Sequence, residues 1–137
     1  MPKVEILTSN SESAIIAKSK CMEFKPLRRA DGSCEFEEYL AGLPRKDRIK
    51  LIAVLAKTEQ YGLRTAIEQQ WVKKLRDGIF ELRSRQGSDI QRVLYFHKEA
   101  NEYVITHGFT KKTDRTPQRE ISKACRLMRE YWEREGA

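Results

Sequence analysis

The sequence is poor in the residues that build staples, metal sites and membrane anchors. Its 137 residues contain three cysteines and two histidines. Cys21, Cys34 and Cys125 form no CxxC pair, and together with His97 and His107 they show none of the spacings that zinc sites use. No metal or other cofactor is expected. Disulfides are not required at this length, since folding removes roughly two-thirds of the extended chain's surface from water, so a reducing compartment is the better expectation. No apolar run approaches the roughly eighteen residues of a membrane span. The island at residues 14–17 is hemmed by Glu12 and Lys18 before a signal-peptide core can form. A soluble, cytoplasmic protein with no membrane partner is therefore expected. Acidic residues are also in the minority, 20 against 27 Lys+Arg, which leaves a formal charge of +7. Such a surplus admits a polyanionic partner without selecting one.

Residues 1–20 are polar and Ser-rich and read as an N-terminal extension, leaving residues 21–137 as one domain. A first strand is expected near residues 21–29, confined to a sheet edge or an early end by Pro26. Asp31-Gly32 then supplies a turn. Phe36, Tyr39, Leu40 and Leu43 recur at helical spacing behind Ser33, a candidate N-cap. The Leu43-Pro44 step breaks this helix, because a residue before proline is pushed out of the α region. A second helix follows, with Ile49, Ile52, Ala53 and Ala56 as its expected buried stripe and Gly62 as its C-terminal glycine. The pair reads as an antiparallel helical hairpin. From Trp71 the period changes. Three segments rich in β-branched and aromatic residues, separated by QGS and EAN, predict a β-meander, with WVKKL as a fourth strand. Thr116-Pro117 opens a last helix whose apolar stripe is Ile121, Ala124, Cys125, Met128 and Trp132. The expectation is an α+β fold in two layers, with an antiparallel sheet of about four strands.

The positive charge concentrates on the sheet and the loop after it. Lys73, Lys74, Arg76, Arg83, Arg85, Arg92 and Lys98 stand against Asp77, Glu81 and Asp89, and Lys111, Lys112 and Arg115 against Asp114. Interleaved with Tyr95, His97, Tyr103 and His107, these cations have the ingredients of an RNA surface: charges for phosphates and rings for unpaired bases. Charged strand faces are also commonly just solvated.

The segment from Trp71 onwards resembles the RelE/ParE superfamily of bacterial toxins, in particular its phage-type HigB-like branch. Four elements carry the resemblance in order: Lys73, Leu75, Gly78, Ile79, Glu81, Leu82 and Arg83; then residues 92–95, Arg-Val-Leu-Tyr; then His107 and Phe109; then Lys111, Lys112, Thr113, Thr116, Pro117, Glu120 and Ile121. The helical hairpin also fits, so the likeness covers roughly residues 21–132. It implies a RelE-like toxin that cleaves mRNA in the ribosomal A site without a metal and is held inactive by a helix-turn-helix antitoxin. In such a reaction the nucleotide's own 2′-OH attacks the adjacent phosphate. The protein must take a proton from that oxygen, neutralise charge growing on the phosphate and help the 5′-oxygen leave.

The resemblance assigns candidate catalytic residues, each with a structural alternative. Arg92 would clamp the phosphate through its planar fork, or else pair with Glu81 or Asp89. Arg83 would assist it, anchor RNA backbone or make an ion pair. Lys111 or Lys112 would act near the leaving oxygen, or be ordinary solvated lysines. His107 is suited to proton exchange, or completes strand packing. Glu81 stands where some relatives present lysine, and is either a base or a salt-bridge partner of Arg83 or Arg92. Near the start of the last helix Gln118, Arg119 and Glu120 replace a tyrosine that some relatives carry. Tyr95 is read as core. Ribosomal RNA would be held by Arg45, Lys46, Arg48 and Lys50 with Lys73, Lys74 and Arg76. The alternatives are a ParE-like inhibitor of DNA gyrase, or a non-enzymatic phage-derived interaction protein of the same fold.

Overall fold

The structure, a computed structural model, describes residues 20–135. All of the expected N-terminal extension except Lys20 lies outside them. Strand β1 (Glu23–Pro26) is followed by helices α1 (Glu35–Gly42) and α2 (Arg45–Glu68). Then come β2 (Val72–Lys74), a short 3-10 turn (Arg76–Gly78), β3 (Ile79–Gln86), β4 (Asp89–Glu99), β5 (Glu102–Lys111) and helix α3 (Gln118–Glu135). The five strands form one mixed sheet in the order β1-β5-β4-β3-β2, with β1 parallel to β5 and the other pairs antiparallel. The α+β class is as expected and the arrangement is broadly RelE-like. The sheet nevertheless has five strands rather than four and is not wholly antiparallel, because Glu23–Pro26 joins the free edge of β5. Pro26, which cannot donate to a ladder, ends that edge strand.

The helices cover both faces of the sheet, so the fold has three layers where two were expected. The continuous apolar run in β4 requires this, because neighbouring side chains on a strand point to opposite faces. Val93 and Tyr95 pack with Met22, Phe36, Leu51, Leu82 and Ile105 under α1 and α2. Leu94 and Phe96 pack with Ile79, Val104, Ala124 and Tyr131 under α3.

Four local expectations are corrected. Helix α2 buries Leu51, Val54 and Thr58, whereas Ile49 and Ile52 are 55% and 47% exposed and Ala53 and Ala56 also face water. The apolar repeat at Ile49, Ile52, Ala53 and Ala56 is thus an outward face. The inward face accepts a buried Asp47, whose carboxylate takes a hydrogen bond from Gln91 Nε2 at 3.2 Å. In α3, Tyr131 is buried and Trp132 is exposed. Ser33 does not cap α1, since its hydroxyl donates to Asp31 Oδ1 at 2.6 Å and Cys34 holds the cap position. Gly62 does interrupt α2, with φ +90°, but a further helical turn follows it to Glu68.

Helix α1 sits on β5 through Tyr39, whose ring crosses Gly108. A methyl group at Gly108 would come within 2.4 Å of Tyr39 Cδ2. Tyr39 also shares a 2.8 Å hydrogen bond with Thr110 Oγ1, and burial pushes its phenol up to about 12. Gly108→Ala should therefore lower stability in urea unfolding by about 1–3 kcal/mol through overpacking, and Tyr39→Leu in the same chain should recover part of that loss.

Candidate functional site

The strand register builds the candidate site. Pairing across β3, β4 and β5 puts Glu81, Leu94 and His107 in one row and Arg83, Arg92 and Phe109 in the next. Both rows lie on the face covered by α3. Strand spacing separates the outer members of a row by about 10 Å. Glu81 and Arg83 point to this face and Phe80 and Leu82 to the opposite one, so the charged face of β3 is mostly covered rather than open to solvent.

Arg92, Glu81 and Thr116 form its buried centre. Arg92 and Glu81 are each 0% exposed. Glu81 Oε1 accepts from Arg83 Nε at 2.5 Å, and Oε2 accepts from the Thr116 hydroxyl at 2.6 Å. Arg92 Nη1 stands 3.6 Å from Glu81 Oε2 and 3.5 Å from Thr116 Oγ1. Among the described residues its Nε and Nη2 have no hydrogen-bond partner. Burial is the main reason that the Arg92 guanidinium is held below its ordinary value, with Glu81 acting in the opposite direction. Unused donors on a buried cation are costly, which makes this group a ready receptor for an anion that reaches it.

The segment after β5 closes over this centre. The Asp114 carbonyl accepts from Arg83 Nη2, and its carboxylate from Arg85 Nη2, both at 2.5 Å. Beside Arg85 the Asp114 carboxyl is held below its usual range. Sequence reasoning missed this role for Asp114 and Thr116. The sequence presents Asp114 as the acid among Lys111, Lys112 and Arg115, and Thr116 as the opening of the last helix. The one signal available was the position of an acid within a basic segment, which fits a latch as well as charge dilution.

His107 is 1% exposed and bridges the sheet to α3, with Nε2 3.0 Å from Glu120 Oε1 and Nδ1 3.0 Å from Thr106 Oγ1. Burial lowers its pKa, against the opposing effect of Glu120. A histidine depressed in this way binds its proton more readily when unfolded, so it contributes stability above about pH 6.5 that is lost as pH falls toward its folded pKa. Urea midpoints should thus decline from pH 7.5 to pH 5.5, with a shallower decline in His107→Gln.

The remaining predicted site residues are dispersed. Lys111 is half-buried at the end of β5 and Lys112 is exposed beyond it. Lys73 and Lys74 are exposed on β2, on the far edge of the sheet. Arg76 ties the turn before β3 to α3, donating to Ser122 Oγ at 3.0 Å and pairing with Asp77 at 2.8 Å. On α2, Arg45, Lys46 and Lys50 are exposed, and Lys50 donates to the Arg85 carbonyl. Arg48 is half-buried and points at the carbonyls of Leu40 and Leu43, closing the C-terminal end of α1. Tyr95 is core, and burial pushes its hydroxyl pKa up. Among the described residues no three His, Cys, Asp or Glu side chains converge as a metal site requires, and no helix is long and apolar enough to cross a membrane.

The mixed sheet with helices on both faces is broadly RelE-like, though its strand count and helix arrangement differ somewhat, and the family that the sequence matches is a toxin-like family of RelE/HigB type. The sequence matches the family described as phage derived protein Gp49-like (DUF891) over residues 38–129, and the chain belongs to that family. No curated protein matches it.

Proposed function

We propose that the chain is the toxin of a toxin–antitoxin pair and that it acts as a ribosome-dependent endoribonuclease, cutting mRNA in the A site. The observation that carries this reading is Arg92, a buried guanidinium with two donors unused, set beside Arg83 on adjacent strands. A phosphate whose charge rises during attack by the 2′-oxygen gains most from fixed donors in a site shielded from water. The 2′-hydroxyl gives up its proton to solvent, its oxygen bonds to phosphorus, the bond to the 5′-oxygen breaks and that oxygen takes up a proton, so a 2′,3′-cyclic phosphate and a 5′-hydroxyl result. Arg92 and Arg83 carry the phosphate charge in this proposal. Glu81, whose two oxygens are already engaged, orients both arginines. Lys111, at the end of β5, and Lys112, just beyond it, serve proton transfer at the leaving oxygen. RNA reaches Arg92 when residues 112–116 move off it, exchanging the Asp114 and Thr116 contacts for phosphate oxygens.

The proposed partner is a helix-turn-helix antitoxin. The outward face of α2 presents Ile49 and Ile52 beside Arg45, Lys46 and Lys50, a combination suited to an acidic amphipathic segment of that protein. These cations then serve the antitoxin, the ribosome or each in turn. The test of activity is a purified translation reaction: mRNA cut only when ribosomes are present supports the reading, and mRNA left intact in both conditions overturns it.

A further inference from the structure

On the β2 edge of the sheet an open groove of about 520 Å³ runs between the end of α2 and β3. Trp71 and Ile67 give it apolar surface; Lys73, Lys74, Arg83 and Arg85 give it charge, and none of its lining residues is acidic. The local fold sets this combination. Gln70, at φ +64°, turns the chain out of α2, and the Trp71 carbonyl then accepts from Arg83 N at 3.0 Å, which fixes the Trp71 backbone beside that of Arg83, and both residues line the groove. Lys57 Nζ stands 4.3 Å from the centre of the indole ring and the Tyr61 ring 6.2 Å from it, and neither residue lines the groove, which Trp71 meets with the surface that these two leave. Lys73 and Lys74 are exposed and within reach of solvent-borne phosphates; Arg85 is 56% exposed and its Nη2 is paired with the exposed Asp114 carboxylate, which a phosphate would have to displace. An aromatic ring inside a cationic groove is the pairing that binds single-stranded nucleic acid, with a base stacked on the ring and the backbone following the cations. The volume suits about one nucleotide, at the smaller end of ligand pockets.

We propose that this groove is a binding subsite for single-stranded RNA, with one base on Trp71 and the flanking phosphates on Lys73, Lys74 and Arg85. The inference rests on the ribonuclease reading for its ligand, and Arg83 links the two places: it lines the groove and bonds to Glu81 in the buried centre. A strand held here is led toward Arg92.

Trp71 is one of two tryptophans, so its emission can be isolated in a full-length Trp132→Phe chain. The probe is a six-nucleotide RNA with 2′-O-methyl groups, which binds but cannot be cut. Saturable quenching of Trp71 is expected. By anisotropy of the labelled probe, Trp71→Ala should weaken binding about tenfold. Lys73→Gln with Lys74→Gln should reduce the slope of log affinity against log salt by about 1.4, two contacts at about 0.7 each. Trp71→Leu replaces Trp71→Ala if the latter does not fold, and the quenching measurement needs no change at Trp71. Binding without quenching, or equal quenching and affinity with an abasic probe, would overturn the subsite, as would no binding. The two readings fail separately: a chain that cuts mRNA but shows no quenching lacks the groove function, whereas one that is quenched but cuts nothing retains the groove and loses the ribonuclease.

Discussion

Glu81→Ala should destabilise the fold by about 3–5 kcal/mol, the usual loss when one partner of a buried ion pair is removed. Glu81 is fully enclosed and is the carboxylate shared by Arg83, Arg92 and the Thr116 hydroxyl. Its removal leaves the Arg92 cation, already with two donors unused, without its nearest countercharge. Glu81→Gln keeps the shape and one acceptor oxygen but loses the charge, so its effect should lie between Ala and wild type. The check is the urea midpoint at pH 7.5, with the slope of the transition compared to confirm that the unfolded reference is unchanged. A loss below about 1 kcal/mol in Glu81→Ala, the range of exposed pairs, would mean that Asp114 or solvent compensates the arginines and that the centre is not closed.

Arg92→Ala should have the opposite profile, a large loss of activity with a smaller change in stability. Without Arg92, Glu81 still accepts from Arg83 and Thr116, so no carboxylate is stranded. The phosphate loses its shielded donors, and removal of one such donor elsewhere typically costs about 10²–10³ in rate. Growth arrest on expression should therefore disappear while the purified protein still unfolds cooperatively. Arg92→Lys should recover little, since an ammonium cannot present a planar fork to two oxygens. Growth arrest of wild-type strength in Arg92→Ala would remove the phosphate clamp from the proposal.

The contrast between these two residues also shows what the sequence could and could not reveal. The meander was legible because alternation and turn residues are local signals; the burial of Val93–Phe96 on both faces was not read from them, and two layers were expected where three are found. The pairing of β1 with β5 was not, since nothing within Glu23–Pro26 specifies a partner so distant in sequence. The α2 stripe misled for a physical reason. Ile49, Ile52, Ala53 and Ala56 carry the spacing of a buried face, while the true inward face includes Asp47 and Thr58, polar groups accepted because Gln91 and the Val54 carbonyl satisfy them. At the site, the spacing located Glu81, Arg83 and Arg92 on neighbouring strands, but burial cannot be read from spacing. That Arg92 lies under Thr116 and Asp114 depends on where the segment after β5 folds back.

Primer extension on mRNA recovered from a reconstituted translation reaction tests the central proposal most directly. Wild-type protein should produce new 5′ ends within the A-site codon of stalled ribosomes, and Arg92→Ala should produce few or none. Intact mRNA with wild-type protein would contradict a ribonuclease, and inhibition of gyrase supercoiling by the same preparation would then assign the basic face to a ParE-like role instead.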